Sequence, residues 1–277
     1  MKITIFKSWA LFVIPALLLF QSCDTDEITE TTEVNISSEN AVRAAKTDNV
    51  AEGTFNIIEQ AFVENETEGR GVTQTSLFPN CTEITITSQG NTFTILLDFG
   101  DSCTLNNGNV VSGKILLEYG PLVGGTYTID YTFQEFEFNQ NGVEGGGSIL
   151  YEIANQNDNP QSTLTQNITV SFPNTTVTAT RIGTRIAEWV EGVGTGTWLD
   201  NIYYVTGNWQ TEFTNGFARS GEVTETLIYK TACPYLVAGR LEIMQDGLTA
   251  EIDFGNGECD NQAVFIYNGQ EFPFTMN

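Results

Sequence analysis

From about Asn109 onward the chain alternates large apolar residues with polar ones at a period of two, the pattern of strands buried on one face. Tyr127, Ile129, Tyr131 and Phe133 share one face of such a strand, whereas Phe136 and Phe138 have the opposite parity. One extra residue near Gln134-Glu135 must return them to the same side, which predicts a β-bulge there. The alternation predicts further strands over 109–119, 143–153, 163–172, 175–182, 185–189, 202–206, 208–213, 222–229 and 263–267. Turns fall where Gly, Asn and Pro cluster, at Asn141-Gly142, 157–160 and Pro173-Asn174. Ahead of the strands, Val50, Ala51, Phe55, Ile58, Ala61 and Phe62 recur near helical spacing behind Asp48, a suitable N-cap, so one short helix is expected over 48–64. A Gly-, Thr- and Glu-rich joint then leads to the first strand. So many strands with brief connections and no alternating helices define an all-β fold, either an antiparallel sandwich or a long twisted meander. Residues 48–277 form one domain on this reading.

One hairpin plan occurs twice. Cys81 precedes a strand, Gly90-Asn91 turns it, and a second strand ends in Leu97-Asp98-Phe99-Gly100 before Cys103. Late in the chain Cys233 precedes the strand 237–244, Asp246-Gly247 turns it, and Ile252-Asp253-Phe254-Gly255 leads to Cys259. Four cysteines allow three pairings. Because each hairpin brings its own two cysteines to its open end, Cys81–Cys103 and Cys233–Cys259 are the expected bridges.

The N-terminus changes the picture from a domain to an exported domain. Lys2 and Lys7 precede an uncharged, mostly apolar run from Ser8 to Phe20, followed by Gln21, Ser22 and Cys23. The run is about a dozen residues where a membrane-spanning helix needs roughly 20, so residues 1–22 read as a cleaved signal peptide. A cysteine at that place resembles the lipobox of bacterial lipoproteins, in its looser Bacteroidota form since Phe20 and Gln21 depart from the commonest residues. The resemblance implies that Cys23 is acylated and becomes the anchor to the outer membrane. Residues 23–47, rich in Thr, Ser, Glu and Asn, are expected to form a disordered acidic tether. The acidic residues just behind Cys23 resemble the surface-export signal of the same lipoproteins, which implies display at the cell surface.

Charge and composition then exclude partners and chemistries. The chain carries 35 acidic and 11 basic residues, and two of the basic ones leave with the leader. So acidic a surface repels nucleic acid and anionic headgroups, leaving the lipid as its one membrane contact. With no histidine, Ser-His-Asp and Cys-His sites are impossible. No cofactor signature is present.

The paired cysteine hairpins, their Asp-Phe-Gly turns, and Asp260-Asn261 leading into a last strand that ends at Asn268-Gly269 resemble a family of Bacteroidota lipoproteins with no assigned activity. Gly113-Lys114-Ile115, the 189–192 stretch and Gly207 agree with it. The likeness spans residues 48–277 and implies an address rather than a reaction.

Three features invite chemistry. The Asp98 and Asp253 turns could suit calcium, but Asp bonding its own backbone with Gly at positive φ explains them with fewer ligands. Carboxylate pairs such as Glu188 with Glu191, or Glu135 with Glu137, would serve a glycan hydrolase only if they faced each other across a cleft. Aromatic residues concentrate at 189–209, where Trp189 and Trp209 are expected in the core and Trp198, Tyr203 and Tyr204 are the candidates for ligand contact. Tyr203 and Tyr204 are consecutive, so only one of them can enter a one-sided core. The expected role is non-enzymatic binding or structure, with a glycan or an envelope protein as partner. A glycan-active hydrolase using paired carboxylates is the alternative.

Overall fold

The structure, a computed structural model, describes residues 38–67, 76–195, 197–233, 235–245 and 247–276. Among these residues it has one α-helix, α1 (Ser38–Thr67), a short 3-10 turn at Trp198–Asp200, and fourteen strands. The strands are β1 (Glu83–Gln89), β2 (Thr92–Asp98), β3 (Cys103–Thr104), β4 (Val110–Tyr119), β5 (Thr126–Phe138), β6 (Asn141–Glu152) and β7 (Gln161–Ser171). They continue with β8 (Thr178–Glu191), β9 (Ile202–Phe213), β10 (Ala218–Lys230), β11 (Leu236–Gln245), β12 (Leu248–Asn256), β13 (Gln262–Tyr267) and β14 (Gln270–Thr275). Each strand lies antiparallel beside its predecessor in one sheet, with the two-residue β3 pairing only β4. Of the two expected architectures the meander is therefore the one observed.

One face of the sheet holds α1. Val50, Ala51, Phe55, Ile57, Ile58, Ala61 and Phe62 of the helix are buried with Ile95, Leu97, Ile115, Leu117, Ile129, Leu164, Ile168 and Val170 of the strands. The Phe62 ring meets Tyr119, Tyr127 and Tyr151 edge-on at centroid distances of 5.2 Å each. Thr54, buried on the same helix, donates its hydroxyl to the Val50 carbonyl at 2.8 Å, so it leaves no orphan.

The helix begins ten residues before the expected N-cap, and this corrects both its length and the tether. Residues 38–47 read as too polar to pack, yet Ala, Arg, Lys and Glu are strong helix formers, and Glu39 pairs with Arg43 one turn on. Asn215 in the β9–β10 turn ties this end down, its amide donating to Asn40 Oδ1 at 2.9 Å. Residues 23–37, with Cys23 and its expected acylation, lie outside the described residues.

The bulge stands where parity placed it. Thr132 pairs with Gly146 and Phe136 with Val143, so β5 takes four steps where β6 takes three, and Glu135 has φ 48°. Across the other edge Gly113, at φ 74°, makes room: a Cβ there would sit 2.1 Å from the Glu135 carbonyl oxygen. Two expected strand ends are absent. The segments 175–182 and 185–189 form the single β8, and 202–206 and 208–213 the single β9. Gly183 is no breaker. It faces Trp209, whose Cβ would lie 2.8 Å from an added methyl group.

Both cysteine hairpins close on themselves, Cys81 to Cys103 and Cys233 to Cys259. Their Asp-Phe-Gly turns are the same device. Gly100 N–H donates to Asp98 Oδ1 and Gly255 N–H to Asp253 Oδ1, each at 2.9 Å, with both glycines at positive φ. Each carboxylate also meets a cation, Lys114 at 2.6 Å from Asp98 and Arg240 at 3.0 Å from Asp253.

Candidate binding groove

Side chains on the face away from α1 line up over the stretch of β7 to β11 in which the register carries no shift, short of the irregularities that follow Glu222 and Val223 in β10. Thr165 of β7 stands opposite Thr184 of β8, Thr184 opposite Asn208 of β9, Asn208 opposite Glu222 of β10, and Glu222 opposite Glu242 of β11. Adjacent strands lie about 4.8 Å apart, so five polar groups form a row crossing the strands over roughly 19 Å. A second row runs parallel to it through Ile182, Gln210, Ser220 and Met244. Ile182 is 48% exposed and Met244 49%, which makes them apolar contact surface rather than core. Between the rows lies a groove of about 570 Å³.

The groove floor is closely packed over a layer of charged groups. Trp209 lies between Gly183 and Gly221, and a Cβ on Gly221 would come within 2.6 Å of its indole. On the helix side its ring carries Arg181 at 4.0 Å and Arg219 at 5.2 Å. Asp48 of α1 neutralises both, with Oδ1 2.5 Å from Arg181 and Oδ2 2.7 Å from Arg219. Arg185, whose guanidinium sits 4.2 Å above the Phe55 ring, pairs with Glu52 at 2.9 Å. Further along α1, Glu59 accepts a hydrogen bond from Ser162. Burial raises the Glu59 pKa above the usual carboxyl range, against the opposing pull of Arg185 and Ser162.

The aromatic candidates separate. Tyr203 is a correction: it is buried, stacked between Trp189 at 5.9 Å and Tyr229 at 6.3 Å, because it follows the inward parity of β9. Its neighbour Tyr204 points the other way and is 43% exposed, on the groove face between Glu188 and Ile228. It stands four residues from Asn208, about 13 Å along the strand. Trp198 is half-buried in the 3-10 turn Trp198–Asp200, and its carbonyl accepts from Thr231. Trp189 and Trp209, both expected in the core, are only partly buried: Trp189 packs against the core, whereas Trp209 lies with Arg181 and Arg219 instead of joining it.

Glu188 is unlike a general acid. Asn159 and Asn157 each donate to it at 2.9 Å, and these amides hold its pKa below the usual range. Glu222 and Glu242 stand side by side on one wall instead of facing each other across the groove. Among the described residues no three acidic or cysteine side chains are grouped as metal ligands.

The groove residues Thr184, Gln210, Ser220, Glu222, Glu242 and Met244 are not legible in the sequence, since each is an ordinary outward position on its own strand, whereas Asn208 falls within the aromatic stretch singled out there. Reading the sequence also missed Glu59, for which a signal exists: the residue interrupts the apolar stripe Phe55, Ile58, Phe62.

The fold is an all-β meander packed on one helix, with an elongated, mostly polar groove on the opposite face of the sheet. No protein-family model, no curated protein and no solved structure matches the chain.

Proposed function

We propose that this chain is a lipid-anchored outer-membrane protein, displayed at the cell surface, that binds a glycan without cleaving it. The leader, Cys23 and the likeness to Bacteroidota lipoproteins support the address. The groove carries the binding role: it crosses five strands and offers hydroxyl, amide and carboxylate groups at a spacing of about 4.8 Å, close to the advance of one sugar ring along a chain. Ile182 and Met244 offer apolar surface to the C–H faces of the rings. Glu222 and Glu242, together with the strongly acidic surface, favour a neutral or amine-bearing oligosaccharide over an acidic one. The adjacent placement of the two acids favours binding over hydrolysis, which needs carboxyl groups flanking the scissile bond.

Affinity electrophoresis against neutral, amine-bearing and acidic polysaccharides tests this reading. Retention is expected in the first two classes. Asn208→Ala should weaken it about tenfold, the loss of roughly one buried polar contact. Absence of retention in every class, or retention unchanged in Asn208→Ala, would remove the groove as the binding site, and release of reducing ends would restore the hydrolase.

A further inference from the structure

The sheet is open, and its two edge strands are not alike. β13 and β14 are joined through Asn268-Gly269 and β1 and β2 through Gly90-Asn91, both two-residue connections. In such hairpins the residues flanking the turn exchange both backbone hydrogen bonds, and bonded pairs then alternate along the ladder. Starting from Tyr267 with Gln270, the residues Phe272 and Phe274 bond inward to β13. Glu271, Pro273 and Thr275 therefore turn their backbone groups to the free edge. Proline has no N–H, so the exposed edge of β14 lacks its central donor, and a strand added there would lose a hydrogen bond.

At the other end the same count gives an intact edge. Starting from Gln89 with Thr92, the residues Thr87, Thr85 and Glu83 bond inward to β2, which leaves Ile84, Ile86 and Ser88 presenting N–H and C=O outward. No proline or lysine guards the strand. Every residue of β1 except Ile84 is exposed, Ile86 at 50%, and among the described residues no strand pairs with this edge.

We propose that β1 is the edge through which two copies of this chain join, antiparallel about a two-fold axis through Ile86, into one continuous sheet. The strand is complementary to itself in that register. Ile86 meets Ile86 and Ile84 meets Ser88 on one face. On the other, Thr85 meets Thr87, a favourable cross-strand pair, and Glu83 meets Gln89. The one charge of the strand thus faces an amide rather than its own copy. Elsewhere the acidic surface opposes self-association, so this low-charge edge is where two copies can approach. Outward alignment of Ile84, Ile86 and Ser88 also supplies the two-fold pair with hydrogen bonds at three positions per strand.

Sedimentation velocity on the full chain in detergent micelles, with hydrogen exchange read residue by residue, tests the proposal. A concentration-dependent dimer is expected, in which the amides of Ile84, Ile86 and Ser88 exchange at least about tenfold more slowly than in the monomer. Ile86→Lys should return the chain to monomer while its unfolding midpoint stays unchanged, as the side chain is half exposed. A chain that stays monomeric at all concentrations would overturn the proposal. So would a dimer that persists in Ile86→Lys or leaves those amides unprotected, and so would an edge filled instead by an extended peptide of another protein.

Discussion

Gly53 of α1 lies against the ring of Phe138, so closely that a Cβ on the glycine would stand 2.1 Å from the phenylalanine Cζ. A glycine inside a helix ordinarily costs about 1 kcal/mol relative to alanine. Here the space it leaves is what lets the helix seat against β5, and Phe138 is only 1% exposed with nowhere to move. Gly53→Ala should therefore destabilise the fold by about 1–3 kcal/mol despite its helix propensity, measured by urea denaturation. A more stable variant would show that the helix is not clamped by this contact.

Asp48 holds two arginines, and Arg181 keeps only 4% of its side chain exposed. Asp48→Asn should cost about 3–5 kcal/mol, since it leaves a buried guanidinium without its counter-charge. Tryptophan fluorescence should shift as well, because Trp209 carries both arginines. Replacing Asp48, Arg181 and Arg219 together by Leu, Met and Met should recover most of the loss, since no charge of the trio is then left unpaired.

Glu59 gives the fold a pH dependence opposite to the ordinary carboxylate. Its folded pKa is raised, so the folded state holds the proton more tightly than the unfolded one. Its contribution is then complete below the unfolded value of about 4.3 and is lost as pH rises through the raised folded pKa. Glu59→Gln, which mimics the neutral form, should gain stability over the parent as pH increases from 4 to 7. Glu188 has the reverse sign: its lowered pKa contributes stability above the unfolded value that is lost on acidification. A Glu59→Gln difference that stays flat with pH would contradict the burial of this carboxyl.

The two disulfides should be separable from Cys23, the proposed anchor. Peptide mapping without reduction should join Cys81 with Cys103 and Cys233 with Cys259, and removal of either bridge should cost about 3 kcal/mol. Cys23→Ala should leave the folding midpoint unchanged and abolish acylation of the mature N-terminus, read by mass spectrometry. A mature chain that begins elsewhere would end the lipoprotein reading.

Pro273 should act as a guard. Pro273→Thr restores an outward N–H to β14 and should produce assemblies larger than a dimer, measured by light scattering, with little change in monomer stability. Unchanged assembly would mean that something other than the missing donor protects this edge.

Features that depend on a single strand or hairpin are legible in the local pattern of residues. Parity within β5 located the bulge at Gln134-Glu135, parity within β9 sent Tyr203 and Tyr204 to opposite faces, and the two hairpins chose their own disulfides because their cysteines are close along the chain. Where an element's fate depended on a neighbour, local pattern misled. Gly183 and Gly207 read as breaks, yet the strands run through them, since Trp209 fills the space over Gly183 and the carbonyl of Thr184 fills that over Gly207. Residues 38–47 read as a solvated tether, but partners 133 to 175 residues away hold α1 in place, Arg181 at Asp48 and Asn215 at Asn40. Only tertiary structure could bring Thr165, Thr184, Asn208, Glu222 and Glu242 into one row. Alternation along a strand sets which face a side chain takes, but the register between strands sets which side chains stand together, and four successive strand pairings had to be made before the groove existed.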